Sequence, residues 1–226
     1  MRLAVLFSGG KDSCLALHKA AEQHSIACLL TLVSKNPASY MFHTVNIELT
    51  ELQAKALHLP IMQKETAGEK EKELADLKDL IGKAIKEHGI EGVVSGAIRS
   101  TYQASRIQRI CSELNIFCFN PLWLHDEIAL LRESLKLGFS TIITGVFAYG
   151  LTEELLGKVI NEEIIEKLEF LKKKYGINPA GEGGELETFV RDAPLFKKKI
   201  EIVEAEKHYK NNAGVFEIKK ARLVAK

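Results

Sequence analysis

The sequence is poor in the features that mark secreted, zinc-binding and membrane proteins. Its 226 residues include only four cysteines, Cys14, Cys28, Cys111 and Cys118, and no two form a CxxC pair. A disulfide framework or a zinc ribbon is therefore not expected, and we predict buried thiols. No apolar stretch reaches the roughly 18 residues of a transmembrane helix, and the N-terminal apolar run is too short for a signal peptide. We expect a cytoplasmic protein without membrane association.

An excess of charge of one sign is also missing. The 31 basic and 30 acidic side chains give a net charge of +1, so direct binding to nucleic acid is not expected. Hydrophobic residues make up 46% of the chain and charged residues 27%, which is typical of a folded globular protein. The length accommodates a main domain with a smaller companion. Composition leaves the oligomeric state open, and an oligomer is possible.

Short apolar runs alternate with longer segments of helical periodicity over the first 123 residues. This pattern predicts an α/β fold around a parallel sheet. The predicted strands are residues 3–7, 26–33, 60–64, 92–97 and 117–123, and the helices between them are residues 13–23, 48–57, 68–88 and 99–115.

The pattern changes after residue 123. A helix at residues 127–137, a strand at 140–147 and a helix at 161–175 precede three segments in which apolar and polar residues alternate. Such alternation is typical of strands with one solvent-facing side. We therefore predict two domains, residues 1–123 and a smaller α+β domain over residues 124–226.

The segment SGGKDS connects the first predicted strand to the first helix. Amide groups at a helix N-terminus attract anions, and glycines allow the backbone to approach an oxyanion closely. The spacing matches neither a Walker A loop nor a GxGxxG dinucleotide turn. The residues alone leave two interpretations open, phosphate binding and a structural tight turn. The candidate binding residues are Ser8, Gly9, Gly10, Lys11, Asp12 and Ser13.

SGGKDS directly after the first strand resembles the PP-loop of the ATP pyrophosphatase superfamily, whose members cleave ATP between the α and β phosphates. The resemblance implies a Rossmann-like fold of the adenine nucleotide α-hydrolase type, with a five-stranded parallel sheet. It implies that ATP lies across the carboxyl edge of that sheet, with Gly96 as a second wall. We expect Mg²⁺ to bind together with ATP, and the sequence does not identify its ligands.

Two further segments are similar to the diphthine–ammonia ligase family, whose members amidate the modified histidine of translation elongation factor 2. They are VSGAIRSTYQASRIQRIC at residues 94–111 and GEGGELETFVRDAPLF at residues 181–196. One departure is Leu186, which stands where the family pattern more often has tyrosine. The family's chemistry implies that ATP adenylates the diphthine carboxylate and that ammonia displaces AMP. No glutaminase-like cysteine segment precedes the loop, so we expect free ammonium as the nitrogen source and the elongation factor as partner.

Two arginines lie off the apolar stripe of the helix predicted at residues 99–115. Arg99 and Arg106 are candidates to grip phosphates or a substrate carboxylate, and a solvated helix face is the alternative. Tyr102 and Gln103, on the same helix, are candidate nucleotide contacts. His43, in the loose segment after the second strand, is a candidate contact as readily as a structural histidine.

Three glutamates fall within the GEGGELE segment, residues 181–187, which we call the acidic loop. Glu182, Glu185 and Glu187 supply carboxylates that suit Mg²⁺ or the capture of ammonium, and an exposed acidic turn is the alternative. We expect this loop to fold over the cleft that holds ATP and to serve the amidation step.

Two other functions stay open from the sequence. A tRNA-modifying PP-loop enzyme is disfavoured by the missing CxxC pairs, the near-neutral charge and the lack of an appended RNA-binding module. A regulatory module that binds a nucleotide without turnover is disfavoured by the glutamates of the acidic loop.

Overall fold

The computed structural model describes residues 1–35, 45–69, 71 and 73–226. Five strands of the first half form one parallel sheet in the order β3-β2-β1-β4-β5. The predicted α/β Rossmann-like class is thereby confirmed. The strands are β1 (Arg2–Leu6), β2 (Ser25–Ser34), β3 (Ile61–Thr66), β4 (Gly92–Val94) and β5 (Phe117–Phe119).

Helices cover both faces of this sheet. Alternate residues of β1 therefore enter different cores: Leu3 and Val5 lie in one apolar cluster and Ala4 in another. Burial of both faces explains why the strands read as continuous apolar runs rather than as an alternation. The helices are α1 (Lys11–Ala21), α2 (Thr50–Leu57), α3 (Glu73–His88) and α4 (Thr101–Glu113).

The second half of the chain forms a four-stranded antiparallel sheet in the order β7-β6-β9-β8. Its long hairpin, β8 to β9, turns at Asn211 and Asn212, which both adopt positive φ. Asparagine tolerates this left-handed conformation better than most residues, so it suits a tight hairpin. The elements are α5 (Glu127–Lys136), β6 (Ser140–Val146), α6 (Glu162–Tyr175), β7 (Leu186–Asp192), β8 (Lys199–Lys210) and β9 (Ala213–Val224).

Polar side-chain contacts join the two halves of the chain. Asn46, just before α2, donates to the carbonyl of Phe216 on β9 at 3.0 Å and accepts from the amide of Ile218 at 2.8 Å. The carboxylate of Glu127 on α5 binds both Arg99 and Lys172 at 2.8 Å. The division into domains 1–123 and 124–226 stays a prediction.

The cysteines are free thiols, and three of them are buried. Burial raises the pKa of Cys28 to about 11, and it raises the pKa of Cys14 further. Within the described parts of the chain, no helix is both long and apolar enough to cross a membrane.

Candidate active site

The glycine turn between β1 and α1 is held from behind by a buried glutamine. Gly9 has φ +77°, and a side chain there would overlap Oε1 of Gln53. The Gly9 carbonyl accepts hydrogen bonds from Nε2 of Gln53 at 2.8 Å and from the amide of Val190 on β7 at 3.0 Å. The turn therefore depends on α2 and on the second sheet for its shape.

Two serine hydroxyls face each other across this turn. The hydroxyl of Ser13 accepts from the backbone amide and the hydroxyl of Ser8, each at 3.3 Å, and donates to the carbonyl of Gly10 at 3.1 Å. Both serines line the cavity described below. Hydroxyl groups beside a helix N-terminus are suitable donors to an anionic oxygen.

Lys11 connects the turn to the acidic loop. Its ammonium donates to Oδ2 of Asp12 at 2.8 Å and to the carbonyl of Ala180, and only 5% of the residue is exposed. Its backbone amide donates to the hydroxyl of Thr188 on β7 at 3.1 Å. One buried positive charge therefore lies where the turn meets the chain that leads into β7.

Gly96 lets the chain after β4 approach the start of α1. A Cβ at this position would lie 2.9 Å from the carbonyl carbon of Asp12 and 3.0 Å from the amide of Ser13. Strand order reverses between β1 and β4, and ligands of open α/β sheets bind at this kind of switch point. The glycine therefore forms one wall of a cleft whose other wall is the SGGKDS turn.

Glu182 fixes the acidic loop across this cleft. Its two carboxylate oxygens accept hydrogen bonds from the backbone amides of Ile98 and Arg99, each at 2.7 Å. Charge-assisted bonds of this length are among the stronger contacts in proteins. The acidic loop, which leads into β7 of the second sheet, is thus bound to the chain after β4. Residues that are distant in sequence therefore form one site.

The cavity between these segments has a volume of about 350 Å³. Polar residues of the glycine turn and of the acidic loop contribute to its lining, together with apolar residues of other elements. The apolar residues include Leu30, Leu32, Ile47, Leu77 and Ile107. A cavity with both polar and apolar lining residues suits a nucleotide, whose phosphates and base have these two characters.

The structure brings many of the predicted site residues to this cavity. Those that line it are Ser8, Gly10, Lys11, Asp12, Ser13, Gly96, Gln103, Glu182 and Glu187. Gly9 shapes the turn, but the cavity lining does not include it. His43 lies outside the described residues.

Arg106 and Tyr102 are not among the lining residues. The Arg106 guanidinium lies 3.5 Å from the centre of the Tyr102 ring and donates to Glu71 from Nε at 2.8 Å. The Tyr102 hydroxyl donates to the same carboxylate at 3.1 Å. These contacts, that from Arg106 above all, lower the pKa of Glu71. Arg106, which lies off the apolar stripe of α4, therefore forms a surface ion pair with Glu71.

Arg99 also points to a carboxylate rather than into the cavity. Its Nε lies 2.8 Å from Glu127, which is buried and also accepts from Lys172. Burial alone would raise the pKa of Glu127, but the Lys172 hydrogen bond and the two positive charges hold it below its usual value. Only the backbone amide of Arg99 reaches the acidic loop.

Glu185 and Glu187 take different positions. Glu187 lines the cavity, whereas the Glu185 carboxylate accepts from the amide of Asn178 at 3.4 Å. The other Glu185 oxygen is buried and has no hydrogen-bond partner among the described residues. The Glu185 carbonyl accepts from the amide of Phe147 at 2.8 Å. Glu185 therefore belongs to the support of the loop.

Two residues that hold the site together, Gln53 and Thr188, are not among those predicted from the sequence. Gln53 is buried on α2, and Thr188 lies beside the glycine turn. A glutamine on the apolar face of a predicted helix, next to Ala54 and Leu57, was the available signal. Helical periodicity shows that such a side chain is buried, but it does not identify its partners.

The fold and the cavity define an α/β protein with a PP-loop-like turn at the switch point of its parallel sheet and an acidic loop from a second sheet. The chain belongs to the diphthamide synthase family. The model of the diphthamide synthase N-terminal domain matches residues 1–117, and that of the C-terminal domain matches residues 126–224. The family indicated by the acidic-loop and VSGAIRS segments is thereby confirmed.

Similar proteins include curated enzymes. The diphthine–ammonia ligase of Mus musculus is 38% identical over 236 aligned residues, which cover 96% of this chain and 88% of the relative. The diphthine–ammonia ligase of Danio rerio is 37% identical and covers 88% of this chain and 86% of its own. A solved structure of a predicted tRNA methyltransferase subunit from Methanocaldococcus jannaschii is 21% identical, with a TM-score of 0.44 over 86% of this chain and 98% of that chain. Likeness at that level says nothing about function.

Proposed function

We propose that this chain is an ATP-dependent diphthine–ammonia ligase. The diphthine carboxylate of translation elongation factor 2 attacks the α-phosphorus of ATP, and pyrophosphate leaves. Ammonia then attacks the acyl-adenylate to give the carboxamide diphthamide, and AMP departs. The observation that carries the proposal is the Glu182 contact to the amides of Ile98 and Arg99, which closes the acidic loop over the cavity of the glycine turn.

The polar and apolar residues that line the cavity support ATP as the co-substrate. The α1 N-terminus, the hydroxyls of Ser8 and Ser13 and the Lys11 ammonium suit the phosphates. The apolar lining residues suit the adenine, and Gln103 of α4 lines the same cavity. The volume of about 350 Å³ lies in the range of small-molecule sites.

The donor set of the cavity fits Mg²⁺. This ion prefers carboxylate oxygens together with substrate phosphates. Asp12 lies in the glycine turn and lines the cavity, so we propose that its carboxylate would hold the ion beside the triphosphate. When bound, Mg²⁺ neutralises part of the phosphate charge.

In the first step, negative charge develops on the departing pyrophosphate. The Lys11 ammonium and the amides at the start of α1 stabilise this charge, because both are fixed in place before the reaction. Lys11 is held by Asp12 and by the carbonyl of Ala180, so its ammonium needs little reorganisation.

In the second step, ammonium must be attracted and must lose a proton before it can attack. Glu187 is the cavity carboxylate suited to both tasks, as a negative charge and as a proton acceptor. Glu182 keeps the loop closed, which shields the acyl-adenylate from water. Glu185 acts as a positioning residue through Asn178 and Phe147.

The test is a reconstituted reaction of the chain with ATP, Mg²⁺, ammonium and elongation factor 2 that carries diphthine. We expect AMP and pyrophosphate together with the mass change from carboxylate to carboxamide. Unmodified elongation factor and reactions without ammonium should give no carboxamide. AMP formation that requires tRNA would indicate the tRNA-modifying alternative. Nucleotide binding without turnover on any of these substrates would indicate a regulatory module, and either result would contradict the proposal.

A further inference from the structure

Phe147 is an exposed aromatic residue that has no side-chain role in the reaction proposed above. It directly follows β6, and 39% of it is exposed. Its ring packs against Gly145: a Cβ on that glycine would lie 2.6 Å from Cε2 and 3.0 Å from Cζ of the ring. The glycine therefore provides the space that fixes the ring, while much of the residue stays open to solvent.

The same glycine places Phe147 beside Glu187. Gly145 pairs with Glu187 in the β6–β7 ladder, and its Cβ position would lie 3.0 Å from Cβ of Glu187. Glu187 lines the cavity. The Phe147 amide also donates to the carbonyl of Glu185 at 2.8 Å, which ties this residue to the acidic loop. The edge of the Phe147 ring and the Cβ of Glu187 thus both lie within 3.0 Å of the same point beside Gly145.

A phenylalanine ring with a glutamate next to it has the chemistry of a site for a quaternary ammonium. The face of the ring carries partial negative charge and attracts a cation. A trimethylated nitrogen has no N–H group to donate, so it gains more from a ring face than a primary ammonium does. The carboxylate adds a favourable field without requiring a hydrogen bond.

We propose that Phe147 binds the trimethylammonium group of diphthine and determines specificity for the methylated side chain. The inference rests on the proposed ligase function. In diphthine, the trimethylammonium group and the carboxylate that is amidated are bonded to the same carbon. A trimethylammonium against Phe147 therefore holds the carboxylate at the cavity edge, close to Glu187.

The test compares two substrates, elongation factor 2 with diphthine and elongation factor 2 with the unmethylated primary-amine precursor of diphthine. In Phe147→Leu, which keeps an apolar side chain but removes the ring, KM for the diphthine protein should rise roughly 3- to 30-fold. KM for the precursor protein and for ATP should stay unchanged. Phe147→Trp should keep the preference for the methylated substrate. Phe170→Leu is the matched control, since Phe170 is an exposed ring on α6.

Equal selectivity of the wild type and Phe147→Leu would overturn the inference and leave the ligase function intact. A second measurement does not depend on catalysis. Tetramethylammonium and a neutral alcohol of similar shape, 2,2-dimethylpropan-1-ol, are titrated against both proteins by ligand-observed NMR. We expect tetramethylammonium to bind the wild type more tightly than Phe147→Leu, while the neutral probe does not distinguish them. If the wild type does not favour the cation, Phe147 is not a quaternary-ammonium site, whatever the outcome of the ligase assay.

Discussion

The side-chain amide of Gln53 donates to the carbonyl of Gly9 at 2.8 Å, and the same nitrogen donates to the carbonyl of Val190 at 2.8 Å. One buried side chain therefore joins α2, the glycine turn and β7. The turn owes its shape as much to the second sheet as to its own glycines.

Replacement of Gln53 by leucine should loosen the turn. Two carbonyls would lose a donor in a buried place, and Gly9 would lose the contact that fixes its conformation. We expect a loss of roughly 1–3 kcal/mol in the free energy of unfolding, together with a higher KM for ATP. Urea unfolding and steady-state kinetics measure both quantities. Gln23→Leu, at an exposed position, is the control. An unchanged KM for ATP in Gln53→Leu would show that the turn keeps its shape without Gln53.

Gly96→Ala should impair nucleotide binding. The new methyl group would lie 2.9 Å from the carbonyl carbon of Asp12 and 3.0 Å from the amide of Ser13, which are backbone atoms that cannot rotate away. The start of α1 would shift, so we expect at least a tenfold weaker affinity for ATP, roughly 1.4 kcal/mol, by isothermal titration. Gly82→Ala within α3 is a matched control, because beyond its sequence neighbours and the backbone of its own helix no described atom lies within 4 Å of the added methyl group. Alanine there should be neutral or stabilising by about 1 kcal/mol. Equal ATP affinity in both variants would contradict the proposed wall.

Glu182→Ala should uncouple the two half-reactions. Without the carboxylate, the amides of Ile98 and Arg99 lose their partner and the acidic loop is no longer held over the cavity. Water then reaches the acyl-adenylate, and we expect more AMP than diphthamide, whereas the wild type forms equal amounts. The ratio is measured by nucleotide chromatography and mass spectrometry of the elongation factor. A ratio of one in the variant would indicate that the loop does not shield the intermediate.

Glu187→Gln and Glu185→Gln should differ, because only Glu187 lines the cavity. We expect Glu187→Gln to raise KM for ammonium and to lower kcat by 10²-fold or more, on the order of a lost general base. ATP affinity should change little. Glu185→Gln, with its carboxylate directed to Asn178, should act mainly on loop stability. Equal losses in the two variants, confined to the ammonium kinetics, would place both side chains at the reacting centre.

Acid should weaken the contact between Arg99 and Glu127. The pKa of Glu127 is lower in the folded protein than its ordinary value, through the Lys172 hydrogen bond and the two positive charges that outweigh its burial. Its stabilising contribution is therefore present at neutral pH and is lost as pH falls through the lowered pKa. Glu127→Gln should lower Tm at pH 7, and the difference from the wild type should shrink below about pH 4. A Tm difference that is constant from pH 7 to pH 3 would show that the charge does not contribute.

The sequence predicts the order of strands and helices because hydrophobic periodicity records which faces are buried. It predicts their ends less well. β4 ends at Val94 rather than at residue 97, because the chain then leaves the sheet to bring Gly96 against α1. α3 begins at Glu73 rather than at residue 68, where Gly68 has a left-handed φ of +70°.

The residues of the candidate site likewise divide into those that the sequence predicts and those that it does not. SGGKDS and the acidic loop each carry a local signature, so their residues could be predicted to lie at one cavity. The partners of Arg99 and Arg106 could not, because periodicity shows which side chains lie off the core but not what they face. Gln53 acts through two carbonyls that are distant in sequence, and no local pattern identifies such partners.

The central claim is that one cavity activates the diphthine carboxylate as an acyl-adenylate and then amidates it. The most direct measurement uses elongation factor 2 whose diphthine carboxylate is labelled with ¹⁸O. Attack of a carboxylate oxygen on the α-phosphorus transfers one labelled oxygen to AMP when ammonia releases it, so mass spectrometry should find labelled AMP in proportion to diphthamide. Diphthamide formed with unlabelled AMP, or with label in inorganic phosphate and ADP as the nucleotide product, would contradict the account.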